Sequence, residues 1–392
     1  MKLKNLILKF VNKPSPGILS SQTLYETFFY LINQKSVSKV DVDSVIDKIL
    51  ETQLSDGGFD IGYDFQFGPN MSKTKSREGT SPEVLSLTAL GLYCERFEPS
   101  ESVLQGLNLA VDWILERIVK TDKGIAIPYA PDSFKGIHIT NATSFCISAL
   151  AYSLPYVSAN KRCEIELVLR GMYTFMHSQL VVIDEVGYWP YFYQDANGEE
   201  AKLINAKVDN YHIAQQLYHH CLAQKVFPDE QNDQIIRRVS KYLISNLDDV
   251  GYVPYTFYGE RISDKVHLWG FSSLISAFVE SFIYLGEDIY RKAATDVAGY
   301  ISKYGIVSDH FAPIILNSDK SIFDGNFYPR SDAWVIHSLS ELSKLGVEDE
   351  NLIKACENSY SKIVEQCYRG DENHVVTMRM KIFAKLIRLI VK

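Results

Sequence analysis

The 392-residue chain has no Cys-x-x-Cys pair and only 13 prolines. It also lacks any unbroken apolar run of the roughly 18 residues that a membrane-spanning helix needs. Its six cysteines (Cys94, Cys146, Cys163, Cys221, Cys356, Cys367) are scattered, mostly inside apolar stretches. They read as reduced, buried thiols, which excludes a disulfide framework. The stretch Leu6-Ile7-Leu8-Lys9-Phe10-Val11 is broken by Lys9 and too short for a signal-peptide core, so a cytoplasmic protein is expected. Strand-like alternation never lasts more than a few residues. Positive charge is in deficit too: the net charge of -8 argues against a nucleic-acid partner, because neutralising phosphates takes a basic surface.

That average conceals a polarity. Residues 1–13 carry four lysines and no acid, and residues 378–392 carry five basic residues and no acid, which leaves an acidic body between two basic ends. Both ends place apolar residues at helical spacing: Leu3, Leu6, Ile7 and Phe10 in the first, and Met378, Ile382, Phe383, Leu386, Leu389 and Ile390 in the second. Such amphipathic basic helices lie on anionic membranes, so peripheral contact with the inner membrane face is one expectation. The other is that the C-terminal helix partners the sixth hairpin and closes the fold.

What is abundant is core-forming material, 46% hydrophobic and 12% aromatic, which excludes a disordered or low-complexity chain. It is organised as a repeat. A glycine followed by an aromatic or β-branched residue opens a loop after a helical segment at Gly58-Phe59, Gly124-Ile125, Gly187-Tyr188, Gly251-Tyr252 and Gly305-Ile306, with Gly370 a weaker sixth, at steps of 54 to 66 residues. Three of these loops continue into Pro-Tyr, at Pro128-Tyr129, Pro190-Tyr191 and Pro254-Tyr255. The glycines are expected to supply left-handed positions past helix ends. Between them lie helix pairs. The first of each pair is rich in small and apolar residues, as in ATSFCISALAYSL after Asn141, and the second is charged on one face, as in QIIRRVSKYLISNL.

Six such hairpins predict an all-α (α/α)6 toroid, one domain spanning 1–392, with an inner and an outer helix ring; an open solenoid is the competitor. First-to-second connections are short and second-to-first connections long. The long loops should therefore gather at one end, over the inner-helix N-termini, where a cleft is expected.

Two resemblances bear on this. Gln53-Leu54-Ser55-Asp56-Gly57-Gly58-Phe59 resembles the Q…DGGF/W signature of terpenoid cyclases and protein prenyltransferases, which are α/α barrels, and Gln179…Gly187-Tyr188-Trp189 echoes it. The chemistry of those families does not follow: there is Asp41-Val42-Asp43 but no DxDD acid, no DDxxD metal motif and no Asp/Cys/His zinc set. No cysteine precedes a histidine, as the lanthionine cyclases would need. The second resemblance is to six-hairpin carbohydrate enzymes such as unsaturated-uronyl hydrolases, polysaccharide lyases and sugar epimerases. Arg330-Ser331-Asp332-Ala333-Trp334 is similar to the Arg-x-x-Ala-Trp stretch of the uronyl hydrolases, and His267-Leu268-Trp269-Gly270-Phe271 is a fainter copy one repeat earlier.

Aromatic rings stack on sugar faces while carboxylates and arginines bond hydroxyls and uronates. On that chemistry the candidate substrate-binding residues are Arg330, Trp334, Trp189, Tyr191, His267, Trp269, Tyr255, Asp64 and Asp324. The candidate catalytic residues are Asp332 and Asp209, each equally a good helix N-cap, and Tyr211 with His212 as an acid-base pair for proton removal beside a carboxylate. Hydrolysis would need a second carboxylate, with Asp64, Glu78 and Asp324 as candidates. His212 and His219 share a helical face without a third ligand, so no metal and no cofactor are expected. These residues favour an intracellular carbohydrate-active enzyme acting on an acidic or acetamido sugar or glycan by hydrolysis, elimination or epimerisation. A terpenoid-cyclase-like enzyme and a non-catalytic glycan- or peptide-binding repeat protein are the alternatives.

Overall fold

The structure, a computed structural model, describes residues 20–62, 65–66, 73–74, 78–130, 139–191, 207–258 and 261–369. Six helices pack side by side into a closed inner ring: α1 (Ser21–Ile32), α3 (Leu85–Arg96), α5 (Thr140–Ser153), α7 (Asn210–Val226), α9 (Ser273–Leu285, entered through the turn Leu268–Phe271) and α11 (Pro329–Ser340). Each touches its two neighbours, and α11 lies against α1. Around them stand α2 (Lys39–Glu51), α4 (Glu101–Leu115), α6 (Ala159–Ser178), α8 (Glu230–Ser245), α10 (Asp288–Tyr304) and α12 (Glu350–Arg369), each joined to the inner helix before it by a short turn. The chain is thus the all-α toroid that the repeat predicts.

Burial follows from the two positions. Every residue of α1 and of α5 is buried, since an inner helix has ring neighbours on both flanks, an outer helix behind and the axis in front. An outer helix buries one stripe, as α8 does with Ile235, Ile236, Val239, Tyr242 and Leu243; each such aliphatic side chain contributes roughly 1.5–3 kcal/mol. The fifth inner helix, Leu268–Leu285, is long and apolar enough by composition to cross a membrane, but it is a wall of the ring and largely buried. Cys94, Cys146, Cys221 and Cys356 are buried free thiols, whereas Cys163 is exposed.

The repeat glycines have a different purpose from the one expected. Only Gly124 (φ 125°) and Gly251 (φ 84°) adopt left-handed backbone; Gly58, Gly187 and Gly305 do not. What four of the five share is close approach to the next outer helix. A Cβ on Gly58 would lie 2.5 Å from Trp113 Nε1, on Gly124 2.5 Å from Gly171 O, on Gly187 3.2 Å from Arg238 Cβ, and on Gly251 2.3 Å from Asp296 O. Each turn after one outer helix is pressed onto the following one. The Gln53…Phe59 signature completes this contact: Gln53 Nε2 donates to Gly57 O (3.0 Å) and to Gly106 O on α4 (2.8 Å), while Asp56 accepts from Trp113 Nε1 and Arg117. In this chain the signature is a clasp between turns and helices.

The described parts of the long loops lie on one face of the ring, the front, and some neighbouring loops are stitched together. Lys207–Asp209 pairs antiparallel with Thr256–Tyr258, and Lys265–His267 with Ile314–Leu316. Among the described residues the ring is closed by the contact of α1 with α11; the expectation that the C-terminal helix partners the sixth hairpin falls on residues outside the described ones. Both basic ends, 1–13 and 378–392, lie outside the described residues.

Helix capping differs between the two faces. At the rear, the outer helices α2, α4, α6 and α8 start on Ser38, Ser100, Ser158 and Asp229, whose side chains accept a backbone N–H. At the front, only α7 among the inner helices has such a side-chain cap, from Asp209; α1, α3, α5, α9 and α11 have none.

Candidate functional site

Two cavities lie along the axis of the ring, one on either side of Phe29 and Tyr218, which border both. The front cavity lies at the level of the second and third turns of the inner helices. It is lined by Glu26 and Phe29 from α1, Gln215, Tyr218 and His219 from α7, Ser273 and Ser276 leading into and along α9, and Trp334, His337 and Ser338 from α11, with Leu85 of α3.

At its floor His337 is held from all sides. Its ring stacks on Phe29 (centroids 4.6 Å apart), Nδ1 lies 2.5 Å from Glu26 Oε2, and Nε2 lies 3.2 Å from Tyr218 OH and 3.5 Å from Glu341 Oε1. Burial alone would strip its proton, but the two carboxylates overcome that and raise its pKa to about 9. The two carboxylates thus favour the imidazolium form of His337, while burial raises the Glu26 carboxyl in spite of that partner. His219, 2.9 Å from Ser148 Oγ, is driven the other way, well below the ordinary histidine value, by burial and by the charge on His337. Further forward Gln22 Nε2 donates to Glu83 Oε1 (2.8 Å), and burial pushes the Glu83 carboxyl up to about 8 against the pull of Arg330. Gln22 Oε1, Glu83 Oε2, Gln215 Nε2 and Ser276 Oγ are buried without a hydrogen-bond partner among the described residues. Unpartnered buried polar atoms each cost about 1–3 kcal/mol, so a cluster of them marks a place built to bond something else.

The expected site residues fall into two groups. Trp334 lines the cavity and stacks on Trp269 (5.0 Å), and Arg330 sits over the Trp334 ring (5.4 Å). His212 meets Trp269 and Tyr191 edge to face. Its Nδ1 lies 2.9 Å from Asp209 Oδ2, which is also 2.9 Å from Lys207 Nζ. Burial opposes the Asp209 charge, yet His212 and Lys207 bring its carboxyl down to about 2. Asp209 is thus both the N-cap of α7 and the partner of a histidine. Tyr191 lies under Lys207, and Tyr255 packs near His267 and Trp269. The His267 imidazole is lowered to about 4 by burial and by Lys265.

The second group points elsewhere. Asp332 is not an N-cap, since Tyr328 takes that place; Asp332 Oδ1 accepts from Phe311 N (3.0 Å) and from Ser359 Oγ (2.7 Å) on α12. It is fully buried between the inner and outer rings, where burial raises it to about 6. Tyr211 does not pair with His212: its ring stacks on Tyr255 and its hydroxyl donates to Val253 O (3.4 Å) beneath the loop. Trp189 is buried against His220, with Nε1 donating to Met176 O. Asp324 accepts from Asn326 and Tyr328 within its own loop. Asp64 lies outside the described residues. Sequence reasoning missed Glu26, Glu83, Tyr218, His337 and Glu341. The available signal was that Glu26 is the one charged residue in α1.

No protein-family model matches the chain, and no curated protein matches it by sequence. Solved structures share its fold. A sugar epimerase from a ruminal bacterium superposes with TM-score 0.65 at 14% identity, over 86% of this chain and 90% of that one. The cellobiose 2-epimerase of Bacillus thermoamylovorans gives 0.62 at 11% identity, over 84% and 89%. A family 105 glycoside hydrolase of C. acetobutylicum gives 0.58 at 14%, over 87% and 98%. The fold is therefore that of carbohydrate-active (α/α)6 toroids.

Proposed function

We propose that the chain is a carbohydrate-active enzyme that binds a sugar in the front cavity and works on it by acid-base proton transfer. The observation that carries this reading is the composition of the cavity: Gln215, Ser276 and the Trp334 ring line it together with a carboxylate-imidazole pair, Glu26 with His337, while Trp269 stacks on Trp334 and Arg330 lies over that ring. Hydroxyls of a sugar answer the polar atoms, and a ring face answers the tryptophans. An olefin would leave those polar atoms unbonded, which disfavours the terpenoid alternative. Arg330 suits an acidic or acetamido substituent.

The reaction favoured is removal and return of a proton on the carbon beside a carbonyl, as in epimerisation or isomerisation. Glu26 with His337 supplies one acid-base pair, and His212, fixed by Asp209, supplies another nearer the mouth. That solved structures of this fold include a cellobiose 2-epimerase and a D-mannose isomerase supports the choice. Hydrolysis is the second reading, favoured by Glu83, whose raised carboxyl has the character of a general acid.

The test is incubation of the pure protein in D2O with reducing hexoses, disaccharides, uronates and N-acetylhexosamines. Deuterium incorporation beside the carbonyl supports proton transfer, and release of a new reducing end from glycosides supports hydrolysis. Neither event, with binding retained, would make the chain a glycan-binding protein. A cytoplasmic place and contact of residues 1–13 and 378–392 with anionic lipid are also proposed; absence of flotation with anionic liposomes at low salt would remove the second.

A further inference from the structure

Behind Phe29 and Tyr218 lies a second cavity, of about 200 Å³, at the rear face. Six charged groups run from it to the floor of the front cavity. Lys225 pairs with Glu280 Oε2, Lys344 Nζ lies 3.0 Å from Glu280 Oε1 and also pairs with Glu341 Oε2, and Glu341 Oε1 faces His337, which faces Glu26. Three carboxylates (Glu26, Glu280, Glu341) face three cations (Lys225, Lys344, His337). The row is neutral while the His337–Glu26 pair as a whole holds its extra proton, and Glu95 and Arg96, which also border the rear cavity, add one charge of each sign.

The same groups describe a path for that proton. His337 Nδ1 is committed to Glu26. Nε2 faces Tyr218, whose hydroxyl donates to Glu341 Oε1 (3.2 Å), and Asn33 Nδ2 donates to the same oxygen (2.8 Å). Tyr218, Glu341 and Asn33 all border the rear cavity. We infer that the rear cavity is the solvent port of His337: protons reach and leave its Nε2 through Tyr218 and Glu341, from the face opposite the proposed sugar. In the outward direction the Nε2 proton passes to the Tyr218 oxygen, the Tyr218 proton passes to the Glu341 carboxylate, and the resulting carboxylic acid releases it to rear water. The imidazole is left neutral with its Nδ1 proton on the Glu26 side. The inward direction is the reverse; the tyrosine keeps one proton throughout, and its hydroxyl turns from one partner to the other before the next transfer. A sugar seated in front would cut His337 off from front solvent and leave this path open.

The other groups facing His337 do not compete for this role. His219 on α7 is uncharged and bonded to Ser148, Ser276 of α9 is uncharged, and Phe29 of α1 covers the ring face. Any role of the path in turnover rests on the sugar reading, but its existence does not. The experiment therefore uses no substrate. Solvent exchange of the His337 Nε2 proton is measured by NMR on imidazole-labelled full-length protein. Tyr218→Phe, which keeps the ring and removes the bridging hydroxyl, should slow the exchange about tenfold, the rate equivalent of one charge-assisted hydrogen bond. Leu222→Trp, which fills the rear cavity, should slow it similarly, and Ser273→Leu at the front should not. Glu341→Gln should lower the His337 titration midpoint as well as the exchange rate. Unchanged exchange in Tyr218→Phe would overturn the inference, even if Leu222→Trp fails to fold, and so would equal slowing by the front variant.

Discussion

The two ends of the axis are built from the same six helices and solve opposite problems. At the front, buried amide, hydroxyl and carboxyl atoms of Gln215, Ser276, Gln22 and Glu83 lack partners, and five inner-helix N-termini carry no side-chain cap. At the rear, Lys225, Glu280, Lys344 and Glu341 answer one another, and the outer helices α2, α4, α6 and α8 are capped. One end leaves its bonding capacity for a ligand; the other consumes it internally. The lesson is that burial of charge alone does not mark a site. Asp332 is as buried as Glu26, but its Oδ1 is bonded to Phe311 and Ser359 behind the ring, and only its Oδ2 is left without a partner among the described residues.

Substitutions at each end should separate these roles. The largest effect is expected from Glu26→Gln, which keeps a hydrogen-bonding shape but cannot exchange a proton. Turnover of any sugar the enzyme accepts should fall by about 10²–10⁴-fold, with a normal circular-dichroism spectrum. If turnover stays within a few-fold, the front pair is structural as the rear pairs are. Glu341→Ala should cost about 3–5 kcal/mol in denaturant unfolding, because it leaves Lys344 and His337 each short of a buried partner. A negligible cost would place solvent, not the ion row, in charge of the rear.

The pH dependence follows from His337, whose pKa is raised in the folded protein. Its contribution to stability should be complete below the ordinary histidine value of 6.5 and should disappear as pH rises through about 9. Unfolding curves of His337→Gln should lack that alkaline decline. Gln53→Leu, at the clasp and distant from both cavities, should cost roughly 2 kcal/mol for two lost hydrogen bonds and leave turnover intact. A loss of activity out of proportion would give the Gln53…Phe59 signature a chemical role. Smallest of all, Trp334→Ala should weaken sugar binding by about fivefold, the worth of one ring contact near 1 kcal/mol, as read by calorimetry.

The ring itself was legible because it is written as a period: glycine turns, alternating helix types and loop lengths all follow the same spacing. The reason for the glycines was not, since it lies in a neighbouring repeat, in Trp113, Gly171, Arg238 and Asp296. The site divides similarly. Arg330, Trp334, Trp269 and His212 stand near loops, where aromatic and charged residues attract notice. Glu26 and His337 meet across 311 residues of sequence, and each sits among apolar neighbours in what reads as ordinary core helix. Tyr211 and His212, adjacent in sequence, diverge because consecutive residues on a helix point about 100° apart.

The contact between α1 and α11 also bears on how the chain is made. As it leaves the ribosome, the first five helix pairs can stack in order, each turn clasping the next outer helix, but they form an arc with two unsatisfied edges. The flank of α1 that will receive α11 must wait for more than three-quarters of the chain to be synthesised. Pairings between such distant segments form slowly and leave apolar surface uncovered meanwhile. Until α11 arrives, Glu26 and Phe29 have no His337 to meet, and an arc of this kind can close equally well on the α11 of another molecule. Domain-swapped rings, with α1 of one chain completing its neighbour, are the misassembly this architecture invites during crowded synthesis.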